Sequence, residues 1–360
     1  MVENENFIRK LKVGIPRALY FYRYGPLWIY LLRQFQCEVV ISPPTTAKIV
    51  EFGAKQAVSE LCVPMKLYFG HVHALLEENP DLDYIFIPRY VSIHHNQYYC
   101  PKFLTLPETI KYGMKLPVPI LTLEVNAKKQ YGIEGAINMG KELGYSAEDS
   151  GKTWVIALKK FKELQSQMNS TNYLDILASF DENPSHVLKK RKFHEMIAEK
   201  IRGKFPLSIL LLGHPYNVYE SYINMHLIER LKTLDCRILT IEDTHPEKFK
   251  KPVKINKIYE QYWQSEDEIL KTARYYLTEG KSEIDGVIFL ISFSCGPDSL
   301  IEELVMRDMK TRKIPFLTLI LDEHSGESGM VTRIESFVDM IRRKKYSHLL
   351  ETKSNEPYNK

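Results

Sequence analysis

The sequence has five cysteines but no C-x-x-C pair, so the local ligand spacings of ferredoxins and zinc fingers are missing. It has no long apolar run either. The greasiest stretches, Leu207 to Leu212 and Val287 to Phe293, fall far short of the ~18–20 residues a membrane-spanning helix needs. Neither G-x-x-x-x-G-K-[ST] nor G-x-G-x-x-G occurs, which removes the P-loop and the usual dinucleotide fingerprint. If ATP drives the chemistry, a partner must hydrolyse it. No G-x-S-x-G hydrolase elbow is present. The chain opens on Met-Val-Glu-Asn-Glu-Asn, polar and acidic where a secretory leader is basic and then apolar, so a cytoplasmic location is expected. An odd number of cysteines in that setting argues against a disulfide framework. Charge of one sign is lacking as well: 49 Lys and Arg against 45 Asp and Glu give +4, and the short basic runs read as solvated helix ends, so nucleic acid is not an expected partner.

What is present is ordinary globular material, 360 residues with 44% hydrophobic and 26% charged, enough for about two domains. The halves repeat. Residues 12–42 laid on 211–241 match without a gap, placing Gly14 on Gly213, Pro16 on Pro215, Tyr20 on Tyr219, Ile29 on Ile228, Leu32 on Leu231 and Cys37 on Cys236. Val118-Pro119-Ile120-Leu121-Thr122-Leu123 pairs, at a slightly different offset, with Ile314-Pro315-Phe316-Leu317-Thr318-Leu319. Apolar runs alternating with amphipathic stretches give each half a β-α-β-α-β-α-β pattern, and near-continuous apolar strands imply parallel sheets covered on both faces. The expected fold class is therefore α/β: two doubly wound Rossmann-like domains with parallel four-stranded sheets, related by internal duplication. The expected boundaries are 1–145 for the N-terminal domain, 146–205 for a helical connector (including a helix over Ser185–Arg202), 206–346 for the C-terminal domain, and 347–360 for a polar tail.

Ligands in such sheets bind at the carboxyl ends of the strands, so position along the strand sorts the cysteines. Cys37 and Cys236 each precede a strand, at the opposite end, and read as buried structural thiols. Cys62, Cys100 and Cys295 each have a proline within two residues, and for Cys62 and Cys295 that proline suits the first turn of a following helix. A sulfur facing a helix N-terminus is favoured as the thiolate, the form that binds metal. Two of these thiols lie in one half and one in the other, and topology allows them to meet in an inter-domain cleft. Three more buried cysteines is the other reading the residues leave open.

Gly14-Ile-Pro-Arg17-Ala-Leu-Tyr20, Pro43-Pro44-Thr45, Cys62-Val-Pro64-Met-Lys66, Phe86-Ile-Pro88-Arg89, Cys100-Pro-Lys102-Phe, Gly213-His-Pro215-Tyr-Asn217-Val-Tyr219 and Asp322-Glu-His324-Ser-Gly326-Glu327-Ser-Gly329 together resemble the 2-hydroxyacyl-CoA dehydratase family, especially its activase-related branch. These motifs span about residues 12–345. The resemblance implies a [4Fe–4S] cluster held by Cys62, Cys100 and Cys295 with one iron open. It also implies low-potential electron transfer driven by a separate ATP-hydrolysing activase. In the family's dehydratases a ketyl radical of an acyl-CoA then loses water, so the chain would serve as a lyase or a reductase component. Three ligands do not suffice for a double cubane. The implied partners are the activase or a homologous cluster-bearing subunit, in a homo- or heterodimer, and an acyl-CoA or other small molecule.

Other residues have weaker cases. Glu323, His324 and Glu327 follow the last strand and can move protons there, or simply cap a helix. His214 replaces Ile15 of the first half, so the fold itself does not require an imidazole at that point. Arg17, Lys66, Arg89 and Lys102 stand where loops converge and can offset cluster charge or hold an anionic substrate, or form salt bridges. His94 and His95, beside Cys100, make zinc the alternative metal. Two other functions stay open: a non-catalytic scaffold subunit, and a zinc-stabilised protein that binds a small molecule.

Overall fold

A computed structural model describes residues 9–181, 207–244, 262–278, 284–324 and 326–354. The expected helix over Ser185–Arg202 lies outside these residues. Two compact units divide the chain: one runs through Met168 and takes in Asp175–Asp181, and the other contains Asn169–Leu174 and the strands from Leu207 onward.

The first unit carries the parallel strands β1 (Lys12–Ile15), β2 (Glu38–Ile41), β3 (Tyr84–Phe86) and β5 (Ile120–Leu121), in the spatial order β2-β1-β3-β5. The second carries β7 (Leu207–Leu212), β8 (Cys236–Leu239), β9 (Gly286–Ser292) and β10 (Phe316–Leu321), in the order β10-β9-β7-β8. Read from the other side, both sheets run second, first, third, fourth strand. All pairings are parallel. Helices cover them: α1 (Phe21–Gln34), α2 (Ala47–Gln56) and α3 (Val63–Glu78) in the first unit, and α10 (Leu227–Thr233), α11 (Gln264–Thr278), α12 (Gly296–Thr311) and α13 (Glu327–Ser354) in the second. Every residue of β9 is buried, as a strand covered on both faces requires.

The duplication extends to detail. Asp83 and Asp285, one before each third strand, accept a hydrogen bond from the first strand's backbone, at 2.7 Å from Lys12 N and 2.8 Å from Ser208 N. Gln36 and Asp235 both have φ of 55°, and each turns the chain into a buried cysteine whose thiol lies 3.6 Å from the carbonyl two residues earlier. Burial pushes the Cys37 thiol up to about 11 and the Cys236 thiol up to about 12, so both remain protonated packing groups. The gapless match of the two halves fails at the first strand, however. The ladders place Lys12 opposite Glu38 and Ser208 opposite Arg237, so Lys12 corresponds to Ser208 and not to Leu211. Gly14 sits inside β1, whereas Gly213 lies beyond β7 at φ 145°, with its Cα so close to Leu290 O that a Cβ would stand 2.8 Å away. The longer second-half strand delivers His214 to its tip.

In the first unit the third and fourth strands continue as a second parallel pair, β4 (Arg89–Ser92) with β6 (Glu124–Asn126). Ile85, Ile87 and Arg89 donate in turn to Pro119, Leu121 and Leu123, so Pro88 falls where the ladder needs no donor from it. Helices α2 and α3 cross in backbone contact: a Cβ on Gly53 would stand 2.1 Å from Lys66 O, and one on Gly70 2.1 Å from Ile49 O. Helices α5 (Leu106–Gly113), α6 (Ile133–Glu142) and α7 (Ala147–Gln167) complete this unit, and α8 (Tyr173–Ala178) follows along the chain. Helix α13 continues to Ser354, past the point where a polar tail is expected. Among the described residues no helix is long and apolar enough to cross a membrane.

Two predictions follow from this packing. Gly70→Ala forces α2 and α3 apart and lowers stability by about 1–3 kcal/mol in denaturant titrations, with the same sign for Gly53→Ala. His71 is fully buried on α3 between Ser42 Oγ (2.9 Å) and Thr45 Oγ1 (3.0 Å), and burial, then the charge of Arg17, pull its pKa from 6.5 to about 3. A depressed folded-state value means that stability is present above pH 6.5 and is lost as pH falls toward 3. Between pH 7 and pH 4.5 this one residue should remove about 2–3 kcal/mol, and His71→Gln should flatten that part of the pH profile.

Candidate functional site

The connections leave β7 and β9 toward opposite edges of the second sheet, so the crevice of this unit opens between their carboxyl ends. His214 lies at the first of these ends and Cys295 at the second. Gly213 at positive φ lets the chain turn sharply, and His214 then caps the short helix α9 (Pro215–Val218), its carbonyl accepting from Asn217 N at 2.8 Å and Val218 N at 3.0 Å. The turn is pinned from beneath, because Ser292 Oγ donates to Asn217 Oδ1 at 2.7 Å and Asn224 Nδ2 donates to Asn217 O at 3.0 Å. The imidazole stacks on Tyr216 at 4.7 Å. Across the crevice Ser294 is also left-handed, at φ 67°, and turns Cys295 into the N-cap of α12, with Pro297 in the first turn.

His214 Nε2 stands 2.9 Å from Asp298 Oδ1 and 3.6 Å from Glu266 Oε1. Asp298 is 0% exposed, Glu266 2% and His214 2%. The ligating atoms of His214, Cys295 and Asp298 all lie within 4.8 Å of one another. Neither Asp298 oxygen has a hydrogen-bond partner, nor does His214 Nδ1. Burial pulls the imidazole's pKa down, but the Asp298 carboxylate, helped by Cys295 and Glu266, outweighs it and holds the pKa well above 6.5. Cys295 moves the other way from the helix-terminus expectation: burial first, then the Asp298 charge, push its thiol up to about 12, so on its own it is not a thiolate.

Asp298 and Glu266 were not among the candidates read from the sequence. An acid three residues after a cysteine at a helix start looks like a first-turn charge that complements the dipole. Glu266 lies on a different helix, at no informative spacing. Glu323, His324 and Glu327 stand at the carboxyl end of β10. Glu323 is half-buried, His324 and Glu327 are exposed, and Glu327 pairs with Arg230.

In the first unit the corresponding crevice is filled by its own network. Arg17, buried, pairs with Asp181 and donates from Nε to Ser42 O at 3.0 Å, while its backbone N–H donates to Ser42 Oγ at 2.7 Å. Arg89 pairs with Glu108 at the wall of a pocket of about 390 Å³ that also includes Lys111, Glu124 and Glu142. Cys62 caps α3, held by the α2–α3 crossing. Cys100 caps the short helix α4 (Pro101–Leu104), held by aromatic packing in which Phe103 stacks on Tyr20 at 4.2 Å and Tyr99 meets Tyr24 hydroxyl to hydroxyl at 2.7 Å. Cys62, Cys100 and Cys295 are all half-buried and none is in a disulfide, with the first two in the first unit and the third in the second. Lys66 is buried, Lys102 half-buried, and His94 and His95 exposed.

The chain is thus a pair of duplicated, parallel, doubly wound α/β units with a His-Cys-Asp group, its histidine and aspartate buried, at the switch point of the second. It belongs to the family described as the CoA enzyme activase uncharacterised domain (DUF2229), matched over residues 12–243, which links it to the 2-hydroxyacyl-CoA dehydratase and activase-related superfamily. The match takes in Cys62, Cys100 and His214 and ends before Cys295 and Asp298. No curated protein matches the chain. Among solved structures, the Ni2+ complex of the SBP FpvC from P. aeruginosa aligns with 93% of this chain and 98% of that chain at 14% identity, and its TM-score of 0.26 is too low to carry an argument.

The buried pair gives a stability prediction. Asp298→Ala leaves a buried imidazolium without its carboxylate and should cost about 3–5 kcal/mol, whereas the Asp298→Leu, His214→Met double variant should recover most of that loss in urea denaturation.

Proposed function

We propose that this chain is the iron–sulfur component of a CoA-enzyme activation system, using Cys62, Cys100 and Cys295 to hold one [4Fe–4S] cluster that receives low-potential electrons. The family supplies the setting. The observation that carries the reading is the sorting of the five thiols. Three are half-buried N-caps of helices with proline in the first turn, and two are buried packing groups at repeat-equivalent positions. The donor chemistry fits, since soft anionic clusters take thiolates, and iron can displace the proton that burial keeps on Cys295. With no phosphate-binding loop in this sequence, ATP hydrolysis falls to a partner activase, and the reacting molecule would be an acyl-CoA or a similar small substrate. The cluster, when bound, supplies one-electron chemistry for reduction or dehydration. The chain's own residues position it, and Glu323, His324 and Glu327 serve as proton carriers at the strand ends of the second unit. Arg17, Arg89 and His214 are its candidate counter-charges, the first two only where the cluster draws them from Asp181 and Glu108.

Protein isolated without oxygen should contain iron and acid-labile sulfide in equal amounts and show broad visible charge-transfer absorption. Cys62→Ser, Cys100→Ser and Cys295→Ser should each lose most of both, while Cys37→Ser and Cys236→Ser keep them. An iron-free protein after anaerobic reconstitution with iron and sulfide would falsify the proposal and leave a scaffold subunit that partners a cluster-bearing homologue.

A further inference from the structure

We infer that His214, Cys295 and Asp298 form a binding site for a single divalent transition-metal ion of the zinc class, contained entirely within the second unit and needing neither Cys62 nor Cys100. The inference does not rest on the cluster reading. The two occupants compete for Cys295, so one molecule holds one or the other.

The geometry is that of a ligand set. One imidazole nitrogen, one thiol sulfur and one carboxylate oxygen, delivered by the tip of β7 and the first turn of α12, converge within 4.8 Å. Bonds of about 2.0–2.3 Å to a tetrahedral zinc put ligand atoms roughly 3.3–3.8 Å apart, so small side-chain rotations close the site. Asp298 carries the argument. Its carboxylate is 0% exposed, neither oxygen meets hydrogen-bond geometry, and His214 Nε2 reaches Oδ1 at 2.9 Å as an ion pair. A wholly buried carboxylate with two unsatisfied oxygens calls for an unseen partner, and a cation is the partner that suits an acceptor-only group. Glu266 is also buried and lies 3.6 Å from the same nitrogen, which makes it the nearest candidate for a fourth ligand or for an orienting carboxylate behind the imidazole.

The competing chemistry is a Cys-His-Asp nucleophile, and the arrangement argues against it. Such a relay uses both imidazole nitrogens, one toward the sulfur and one toward the acid. Here His214 Nδ1 has no hydrogen-bond partner and both acids face Nε2. The groups converge on a point and do not form a chain. Mixed nitrogen, sulfur and oxygen donors of this kind suit zinc and its spectroscopic substitute cobalt, and not magnesium or calcium. Binding exchanges the Cys295 thiol proton and the Nε2 proton for the ion, and both protons leave to water.

The test titrates Co2+ into the chelator-stripped full chain, under nitrogen and without sulfide. One Co2+ per chain should bind with an intense near-ultraviolet sulfur-to-cobalt band and the visible bands of a tetrahedral ion, and Zn2+ should abolish both. The Cys62→Ser, Cys100→Ser double variant should keep the spectrum. Cys295→Ser should lose the sulfur band, and His214→Gln and Asp298→Asn should each weaken binding about tenfold or more. If those variants fail to fold, protection of Cys295 from maleimide by Zn2+ in the wild-type chain, mapped by peptide mass spectrometry, decides the matter. A cobalt spectrum with no thiolate band, a band that survives Cys295→Ser, one that depends on Cys62 or Cys100, or no protection of Cys295 overturns the inference. Failure to take up iron and sulfide sinks only the cluster reading, and failure to show the cobalt–thiolate band sinks only this one.

Discussion

A parallel pair of strands cannot be closed by a hairpin, so the chain must return over the sheet before the next strand begins. Everything else in this protein depends on that constraint. Each crossover brings the chain back to the same edge, so all carboxyl ends in a sheet lie together. Where the strand order turns, two neighbouring ends are left without a connection crossing between them. Both units obey the same order. The two crevices have diverged in content. In the first, Arg17 is buried and paired with Asp181, and His71 is locked neutral between two hydroxyl groups. In the second, a longer first strand and a left-handed glycine carry His214 toward Cys295 and Asp298.

Burying ionisable groups is expensive, and these two crevices meet the expense differently. The first is closed: every polar atom named in its Arg17–Ser42–His71 network has a partner. The second is not, because the Asp298 oxygens and His214 Nδ1 lack hydrogen bonds although they are as deeply buried as the apolar core. A fold tolerates unsatisfied groups of this kind where something else depends on them, and they concentrate at functional sites. The same burial explains the character of Cys295. A helix N-terminus by itself favours the thiolate, but desolvation and the Asp298 charge win here, and only a cation strong enough to displace the proton reverses the balance.

Much of the architecture was legible in the residues alone. Near-continuous apolar runs announced buried parallel strands, and the recurrence of Pro16 with Pro215 and Cys37 with Cys236 announced the duplication. The inert character of Cys37 and Cys236 followed from their place before a strand. The gapless register was less trustworthy. Gly14 and Gly213 match by letter, yet one lies within a strand and the other beyond its end, because the side-chain pattern of a fully buried strand is apolar at every position and cannot signal a slip.

The site divides along the same line. Local sequence marked Cys62 and Cys295 as helix caps, since a proline in the first turn is a signal carried within a few residues, and the structure adds Cys100 at the start of α4. The sequence also singled out His214, but by matching it to Ile15, whose ladder equivalent is Leu211, so that His214 stands beyond the shared strand. Only the tertiary structure decided that Asp298 is a wholly buried carboxylate and not a solvated first-turn acid, that Glu266 comes from another helix to the same nitrogen, and that Arg17 is engaged by Asp181. Burial, desolvation and convergence are properties of residues far apart in the chain, and no spacing along one segment encodes them.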